Sequence, residues 1–148
     1  VLNAMMNLQS DIVHRWHGDI DKYVGDELMA VFEGDDAEKH AVSAALEIID
    51  AVKEFNLTAN DPVQVGIGIS SGEMIAGNMG SAQRLDRTVI GDTVNLGARL
   101  CSIAPGGAIL VNERVYEFVK RMVRAKRIRN VRVKGKEEPL TVFSLGRK

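Results

Sequence analysis

Residues 88–100, TVIGDTVNLGARL, decide how the rest of the chain is interpreted. They predict a strand followed by a helix that Asp92 caps at its N-terminus. Asn95 and Arg99 are four residues apart, so they lie on one face of that helix, one turn apart. Gly97 lies between them and weakens a helix by about 1 kcal/mol. The polar pair with a glycine between its members favours a binding site. The alternative is an ordinary solvent-exposed helix face.

Length and composition limit the possible number of domains, the partners and the cellular compartment. The chain has 148 residues, 45% of them hydrophobic, which indicates one globular domain with a real core. A net charge of −1 gives no general reason to expect nucleic acid or an anionic membrane as partner. The single cysteine, Cys101, excludes an internal disulfide and fits a reducing compartment. We therefore expect a cytoplasmic domain, and leave attachment of the full protein to a membrane open.

Apolar spacing predicts the order α-ββ-α-ββ-α-β-α-ββ. Helices interspersed with hairpins are typical of an α+β sandwich, in which helices cover a largely antiparallel sheet. The predicted elements are a helix ending near residue 18, a hairpin over 20–32, a helix over 37–55, a strand over 63–80, a partner strand over 85–91, a helix from 92, a strand over 108–111, a helix over 112–122, and strands over 127–133 and 140–145.

The long helix over residues 37–55 is amphipathic, and Asp35 or Asp36 can cap it. Its predicted buried stripe consists of Ala41, Ala44, Ala45, Ile48, Ile49, Val52 and Phe55.

The first hairpin, KYVGDELMAVF at residues 22–32, carries two candidate polar residues. Asp26 lies in the turn, where Gly-Asp is common for conformational reasons alone. The functional alternative is a carboxylate held on a rigid turn as an oxygen ligand for Mg²⁺ or Mn²⁺. Lys22 is either a solvated strand lysine or a donor to a purine ring nitrogen.

Residues 120–136 contain nine Lys or Arg and no acidic residue. The simplest interpretation is a solvated basic strand face. A nucleic-acid surface is a weaker one, since no aromatic residue lies in this run to stack on bases. A third possibility is that Lys134 or Lys136, in the VKGK segment, contacts a triphosphate.

Four segments together carry a family resemblance: GDIDKYVGDELMAVF (18–32), VGIGISSGEMIAGNMGS (65–81), RTVIGDTVNLGARL (87–100) and VKGK (133–136). In this order they resemble the class III nucleotide cyclases, the adenylyl and guanylyl cyclase catalytic domains. The resemblance implies a ferredoxin-like βαββαβ-derived sandwich with a β-hairpin arm for dimerisation. It also implies a signalling reaction that forms a 3′,5′-cyclic nucleotide and pyrophosphate, with two Mg²⁺ or Mn²⁺ ions and active sites between two head-to-tail domains.

The resemblance assigns roles to individual residues. Asp26 matches the second metal-binding aspartate of the family. Asn95 and Arg99 match the residues that position the ribose and stabilise the transition state. Lys134 matches the lysine that contacts the triphosphate. An arginine bears on this chemistry because its planar fork donates two hydrogen bonds to phosphate oxygens.

Lys22 and Thr88 match the two base-selecting positions. A guanylyl cyclase is expected to have Glu near Lys22 and usually Cys or another small residue at Thr88. The Lys/Thr pair therefore favours ATP as substrate. The segment SAQRLDR, residues 81–87, is expected to be the tip of the hairpin that reaches across a homodimer.

Two departures from the family pattern accompany these matches. The first metal-binding aspartate belongs to an opening strand that should precede residue 1, so residues 1–148 are expected to form a cyclase domain that lacks its N-terminal strand. Glu73 stands where some members carry a phosphate-binding arginine. The alternative function is a degenerate cyclase-homology module that binds nucleotide or pairs with another domain. An upstream regulatory domain is expected, and a nucleic-acid partner is not.

Overall fold

The computed structural model describes residues 2–79, 86–135 and 138–148, without the side chains of 2, 75–79 and 86–89. Within those ranges, no helix is both long and apolar enough to cross a membrane. The elements are α1 (Leu2–Arg15), β1 (Asp19–Val24), β2 (Glu27–Val31), α2 (Ala37–Thr58), β3 (Ile67–Ile69), β4 (Ile75–Met79), β5 (Asp86–Ile90), α3 (Asp92–Ile103), β6 (Ile109–Asn112), α4 (Glu113–Val119), β7 (Val123–Val131) and β8 (Leu140–Arg147).

One four-stranded sheet and two hairpins make up the β structure. The sheet has the order β3-β6-β8-β7, in which β3 and β6 are parallel and the other pairs are antiparallel. The hairpins are β1-β2 and β4-β5. The predicted α+β fold with a mostly antiparallel sheet is confirmed.

Helices cover both faces of the four-stranded sheet. Ile109 and Val111 of β6 point into a core cluster that contains side chains of α2 and α4. Leu110 lies between them in sequence and packs in another cluster with Leu100 of α3. Neighbouring side chains of a strand point to opposite faces, so α2 and α4 lie on one face and α3 on the other.

Helix α2 joins two core clusters. One side packs on the four-stranded sheet, and another packs with α1 and the β1-β2 hairpin. The buried surface is therefore wider than the predicted stripe, which omitted Val42 and Leu46 and included the only partly buried Ala41 and Phe55. Its buried residues are Val42, Ala44, Ala45, Leu46, Ile48, Ile49 and Val52.

Helix α3 lies directly against β3, and two glycines make this possible. A Cβ atom added at Gly68 would lie 2.2 Å from the Cys101 nitrogen and 2.6 Å from the Gly97 oxygen. One added at Gly66 would lie 2.5 Å from the Ala104 oxygen. Real Cβ atoms do not come this close to backbone, so only glycine fits at these two positions.

Gly97 of α3, in contrast, is not required to be glycine for this contact between α3 and β3. A Cβ added at Gly97 would meet Ser70 at 3.6 Å, which is an ordinary van der Waals distance. What Gly97 contributes to this contact is its backbone oxygen, which faces Gly68.

Two predicted helix caps differ from the observed ones. The N-cap of α3 is Gly91, with φ 126° and ψ 178°, and Asp92 is the first helical residue. The prediction of Asp92 as N-cap is therefore wrong by one position, because glycine adopts this positive φ readily. Asp92 still places a negative charge in the first turn, where the helix dipole favours it. Asp36 is the N-cap residue of α2, but its side chain makes no capping hydrogen bond.

The single strand predicted over residues 63–80 is also wrong. It is divided into β3 and β4 by a junction of residues 70–74. Gly72 within the junction has φ 156°, and the backbone groups of Ser71 bond to the Asn112 side chain rather than to a neighbouring strand. The chain therefore leaves the central sheet at this point and begins the β4-β5 hairpin.

We expect Gly68→Ala to lower the free energy of unfolding by about 2 kcal/mol or more, because the new methyl group must push α3 away from β3. Gly146→Ala is the matched control, since nothing lies within 4 Å of a Cβ added there. Urea unfolding followed by circular dichroism measures both variants. Equal stability of the two would contradict the close contact.

Candidate functional site

The exposed face of α3 carries the polar pair that the sequence singles out. Asn95 and Arg99 are both exposed, whereas Leu100 is fully buried on the sheet side. The guanidinium of Arg99 makes no hydrogen bond or ion pair within the described ranges, although its backbone oxygen accepts from Ser102 Oγ at 2.7 Å. The structure therefore brings Asn95 and Arg99 together on one face that packing inside the chain leaves free.

The β1-β2 hairpin presents Asp26 at its turn. Gly25 adopts φ 60°, and Val24 pairs with Glu27 across the turn, so the carboxylate of Asp26 lies on a tight and exposed loop. No hydrogen bond or ion pair joins that carboxylate to any part of the chain that is described. It is available to a ligand.

Lys22 has a neighbour that sequence reasoning missed. The strand register shifts between Ile20 and Lys22, which leaves Asp21 at a bulge with a side chain only 4% exposed. Lys22 Nζ lies 3.8 Å from Asp21 Oδ2, and its own side chain is 46% exposed. A bulge redirects side chains, and nothing in the letters IDK signals one.

Cys101 shows which side of α3 faces the hairpin. Its thiol donates to the Gly66 oxygen at 3.5 Å, and the charges of Glu27 and Asp26 act on it. Two residues correspond to about 200° of rotation around a helix, so Arg99 and Cys101 lie on nearly opposite sides of α3. Arg99 therefore points away from Asp26 of the same chain.

The remaining candidates lie on neighbouring elements. Thr88 pairs with Gly77 in the β4-β5 hairpin, and β5 contacts β1, the strand of Lys22. Lys134 is exposed in the turn after β7, next to Gly135 with φ 91°. The C-terminal part of β7 shares an apolar cluster with α3, which brings this turn to the α3 side of the sheet. The Thr88 side chain, residues 81–85 of the predicted arm tip and Lys136 lie outside the described residues.

The described residues supply only part of a metal site. Residues 2–79, 86–135 and 138–148 contain no group of three His, Cys, Asp or Glu side chains that could hold an ion. Asp26 has the right chemistry and exposure for one oxygen ligand of Mg²⁺ or Mn²⁺. A complete site needs further ligands beside it.

The pKa of the Cys101 thiol reflects its burial and the carboxylates near it. The pKa of Cys101 is raised from 9.0 to about 11, first by burial and then by the charge and hydrogen bonding of Glu27, with a smaller effect of Asp26. A backbone hydrogen bond from Gly68 opposes the shift. Because the folded-state pKa lies above the unfolded one, the stabilisation from this group is complete below pH 9 and is lost as the pH rises through 11.

We expect alkylation of Cys101 by iodoacetamide to show its midpoint near pH 11 in the folded chain and near pH 9 in urea. Glu27→Gln removes a neighbouring charge and should lower the folded midpoint. Glu33→Gln, which changes an exposed carboxylate that does not act on the thiol, is the control. A folded midpoint near pH 9 would contradict the placement of Cys101 against the hairpin.

Comparison with known proteins identifies the family. Residues 1–146 match the model of the adenylate and guanylate cyclase catalytic domain. One uncharacterized protein of Mycobacterium tuberculosis is 36% identical over 104 residues, which are 70% of this chain and 19% of that protein. A second is 31% identical over 144 residues, which are 95% of this chain and 27% of that protein. The chain thus spans a fifth to a quarter of the length of these relatives.

Solved structures of both specificities resemble the chain equally. The adenylyl cyclase CyaB from P. aeruginosa is 29% identical with a TM-score of 0.89, covering 99% of this chain and 81% of that one. The guanylyl cyclase Cya2 is also 29% identical, with a TM-score of 0.90 and coverage of 99% and 79%. The guanylate cyclase domain of RhGC from Catenaria anguillulae, solved with GTP, is 26% identical, with a TM-score of 0.88 and coverage of 99% and 82%. Because the family model matches nearly the whole chain and these structures share its fold, the chain belongs to the family of adenylate and guanylate cyclase catalytic domains.

Proposed function

We propose that this nucleotide cyclase domain acts as an adenylyl cyclase, a homodimer that converts ATP to 3′,5′-cyclic AMP and pyrophosphate. The observation that carries the proposal is the opposite orientation of two site residues. Asp26 lies on the Cys101 side of α3, and Arg99 points away from it. A nucleotide that needs both must therefore lie between Asp26 of one subunit and Arg99 of another.

Exposed apolar side chains support such a pairing. Large hydrophobic residues are exposed on the elements that carry the site: Tyr23 (52%) and Val24 (55%) on β1, Ile90 (53%) at the end of β5, and Ile103 (43%) at the end of α3. Exposed apolar side chains on elements that carry site residues are favourable to bury against another protein. A second copy placed against these elements would bury them and complete the site in the same step.

The residues on α3 then act on the sugar and the phosphates. Arg99 donates two hydrogen bonds to oxygens of the transferring phosphoryl group and stabilises the charge that develops in the transition state. Asn95, one turn before it, has both a donor and an acceptor with which to orient the ribose. Lys134, from the turn after β7, neutralises charge on the triphosphate. The ribose 3′-oxygen attacks the α phosphorus in line with the departing pyrophosphate.

Asp26 would be one ligand of the metal ions. When bound, the ions supply Lewis-acid polarisation of the phosphate oxygens and lower the pKa of the attacking hydroxyl. Glu73, exposed within the junction, adds negative charge where the family resemblance indicates an arginine in some members, so Arg99 and Lys134 must carry more of the phosphate neutralisation.

Strands β2 and β3 each have an edge that pairs with no other described strand, and these edges indicate where a second metal ligand would come from. Among the described strands, β2 pairs only with β1, and β3 pairs only with β6. Apolar side chains of both β2 and β3 pack on the same α1-α2 cluster, yet every residue of the two strands is only partly buried. We infer that a further strand belongs between β2 and β3, and that it supplies the second carboxylate beside Asp26.

Base selection rests on Lys22 and Thr88. The Asp21 carboxylate, 3.8 Å from Lys22 Nζ, restricts the direction of the ammonium group. A charged lysine donates to N1 of adenine but has no acceptor to offer the N1–H of guanine. The contact between β1 and β5 places the strand of Thr88 beside it. The Lys/Thr pair therefore supports ATP rather than GTP.

A second candidate function is a regulatory module that binds nucleotide or pairs with a cyclase domain without catalysis. It is favoured by one observation, the incomplete set of metal ligands within the described part of the chain.

Complementation between two inactive variants tests the shared site. In the full-length protein with Mn²⁺ and ATP, Asp26→Ala and Arg99→Ala should each lower cyclic AMP formation about a hundredfold or more, because each removes transition-state stabilisation. Mixed subunits should recover about a quarter of wild-type activity, since half of the dimers are mixed and each has one intact site of two.

Arg114→Ala, an exposed arginine on α4, is the control and should keep full activity. No recovery in a mixture shown to contain heterodimers would reject the shared site. Absence of cyclic AMP and cyclic GMP from the wild-type protein would favour the regulatory module.

Exchange of the base-selecting pair tests the substrate. Lys22→Glu combined with Thr88→Cys should lower the ratio of kcat/KM for ATP to that for GTP at least about tenfold, because the new carboxylate accepts from guanine and rejects adenine. Lys53→Glu makes the same charge change on the exposed side of α2 and should leave the ratio unchanged. An unaltered ratio in the double variant, or a wild-type preference for GTP, would sink the assignment.

A further inference from the structure

Asn112 connects two segments that lie far apart in sequence. It is the N-cap residue of α4, where Oδ1 accepts from the Val115 nitrogen at 3.1 Å. The same oxygen accepts from the Ser71 nitrogen at 3.4 Å. Its Nδ2 donates to the Ser71 oxygen at 3.1 Å and to Ser70 Oγ at 3.3 Å. A single amide thus caps a helix and holds both backbone groups of a residue 41 positions away.

Capping alone does not explain an asparagine here. Serine, threonine and aspartate supply an acceptor to the first turn of a helix as well as asparagine does. What asparagine adds is an amide group with two donor hydrogens, since aspartate has none and serine or threonine has only one. Both of these donations go to Ser70 and Ser71. The second half of the side chain therefore serves the junction between β3 and β4.

The junction is held by α2 and α3 as well. Ser71 Oγ donates to Glu38 Oε2 at 2.5 Å, from the first turn of α2. A Cβ added at Gly72 would lie 2.6 Å from Thr93 Oγ1, so the junction packs against the first turn of α3. Three helices begin around these few residues, and the β4-β5 hairpin departs from them.

We propose that Asn112 is a positioning residue, which fixes the junction and through it both the β4-β5 hairpin and the start of α3. The first turn of α3 at Thr93 leads to Asn95 two residues later and to Arg99 four residues after that. A junction that shifts changes where this helix and the hairpin meet the second subunit. This inference rests on the proposed function for its effect on turnover, but not for its effect on the hairpin.

Asn112→Ser and Asn112→Asp separate the cap from the bridge. Both keep an acceptor for the Val115 nitrogen. Aspartate has no donor, and serine has a single O–H on a shorter side chain, so neither can make both bonds to Ser70 Oγ and the Ser71 oxygen. Asn56→Ser is the matched control, because Asn56 makes a similar amide clamp on Val63, with bonds of 2.8 and 2.9 Å, at the other end of α2.

Hydrogen exchange of the full-length protein is the first measurement. In both Asn112 variants, amides of residues 75–79 and 86–94 should exchange at least about fivefold faster, with α4 protected as in the wild type. In Asn56→Ser these amides should exchange at the wild-type rate. Unchanged exchange of the hairpin in the Asn112 variants overturns the proposal, whether or not the protein is an active cyclase.

Steady-state kinetics are the second measurement. At protein concentrations that saturate the dimer, both Asn112 variants should lose about tenfold in kcat while KM changes less than about threefold, since Asn112 positions groups without touching nucleotide. Asn56→Ser should keep its kcat. Faster hairpin exchange with a wild-type kcat would overturn the link to turnover. A wild-type protein without cyclase activity would reject the proposed function and leave hydrogen exchange to decide the positioning role.

Discussion

The backbone contact between α3 and β3 sets the orientation of the candidate site. Gly66 and Gly68 remove the side chains that would hold the helix away from the sheet, so backbone meets backbone. Once α3 is seated, Leu100 faces the core and Cys101 faces the β1-β2 hairpin. The position of Arg99 follows from helical geometry alone, because it lies about 200° around the axis from Cys101. Two glycines in and just before β3 thus determine where an exposed guanidinium points.

That orientation explains why the proposed active site is divided between two sides of one chain. The hairpin turn with Asp26 is on one side of α3, and the Asn95–Arg99 face is on the other. The two halves are rigidly related, since α2 packs against the α1-hairpin cluster and the four-stranded sheet at the same time. A symmetric pair of chains would bring unlike halves together twice, which is the geometry of a head-to-tail dimer.

Sequence patterns predicted most of the helices and strands, and the wrong predictions have local causes. Long periodic segments such as α2 and the Gly25–Asp26 hairpin were predictable because many residues repeat one signal. The cap of α3 was misplaced because Gly91 accepts a φ that other residues avoid, which no side-chain pattern reveals. The strand over 63–80 was continued through Ser71, whose partners are 33 and 41 residues away. The Asp21 bulge was missed for the same reason, since it depends on pairing rather than on composition.

The polar junction also separates the stability of the domain from the alignment of its site. The apolar clusters hold the sheet between its helices without any contribution from Ser70 or Ser71. The hairpin and the first turn of α3, in contrast, adjoin a junction that is held by hydrogen bonds with Asn112 and Glu38 and by the packing of Gly72. Hydrogen bonds of this kind each contribute only about 1 kcal/mol to folding. Small displacements of reacting groups cost far more in rate than in stability, so alignment is the property to which such a junction matters most.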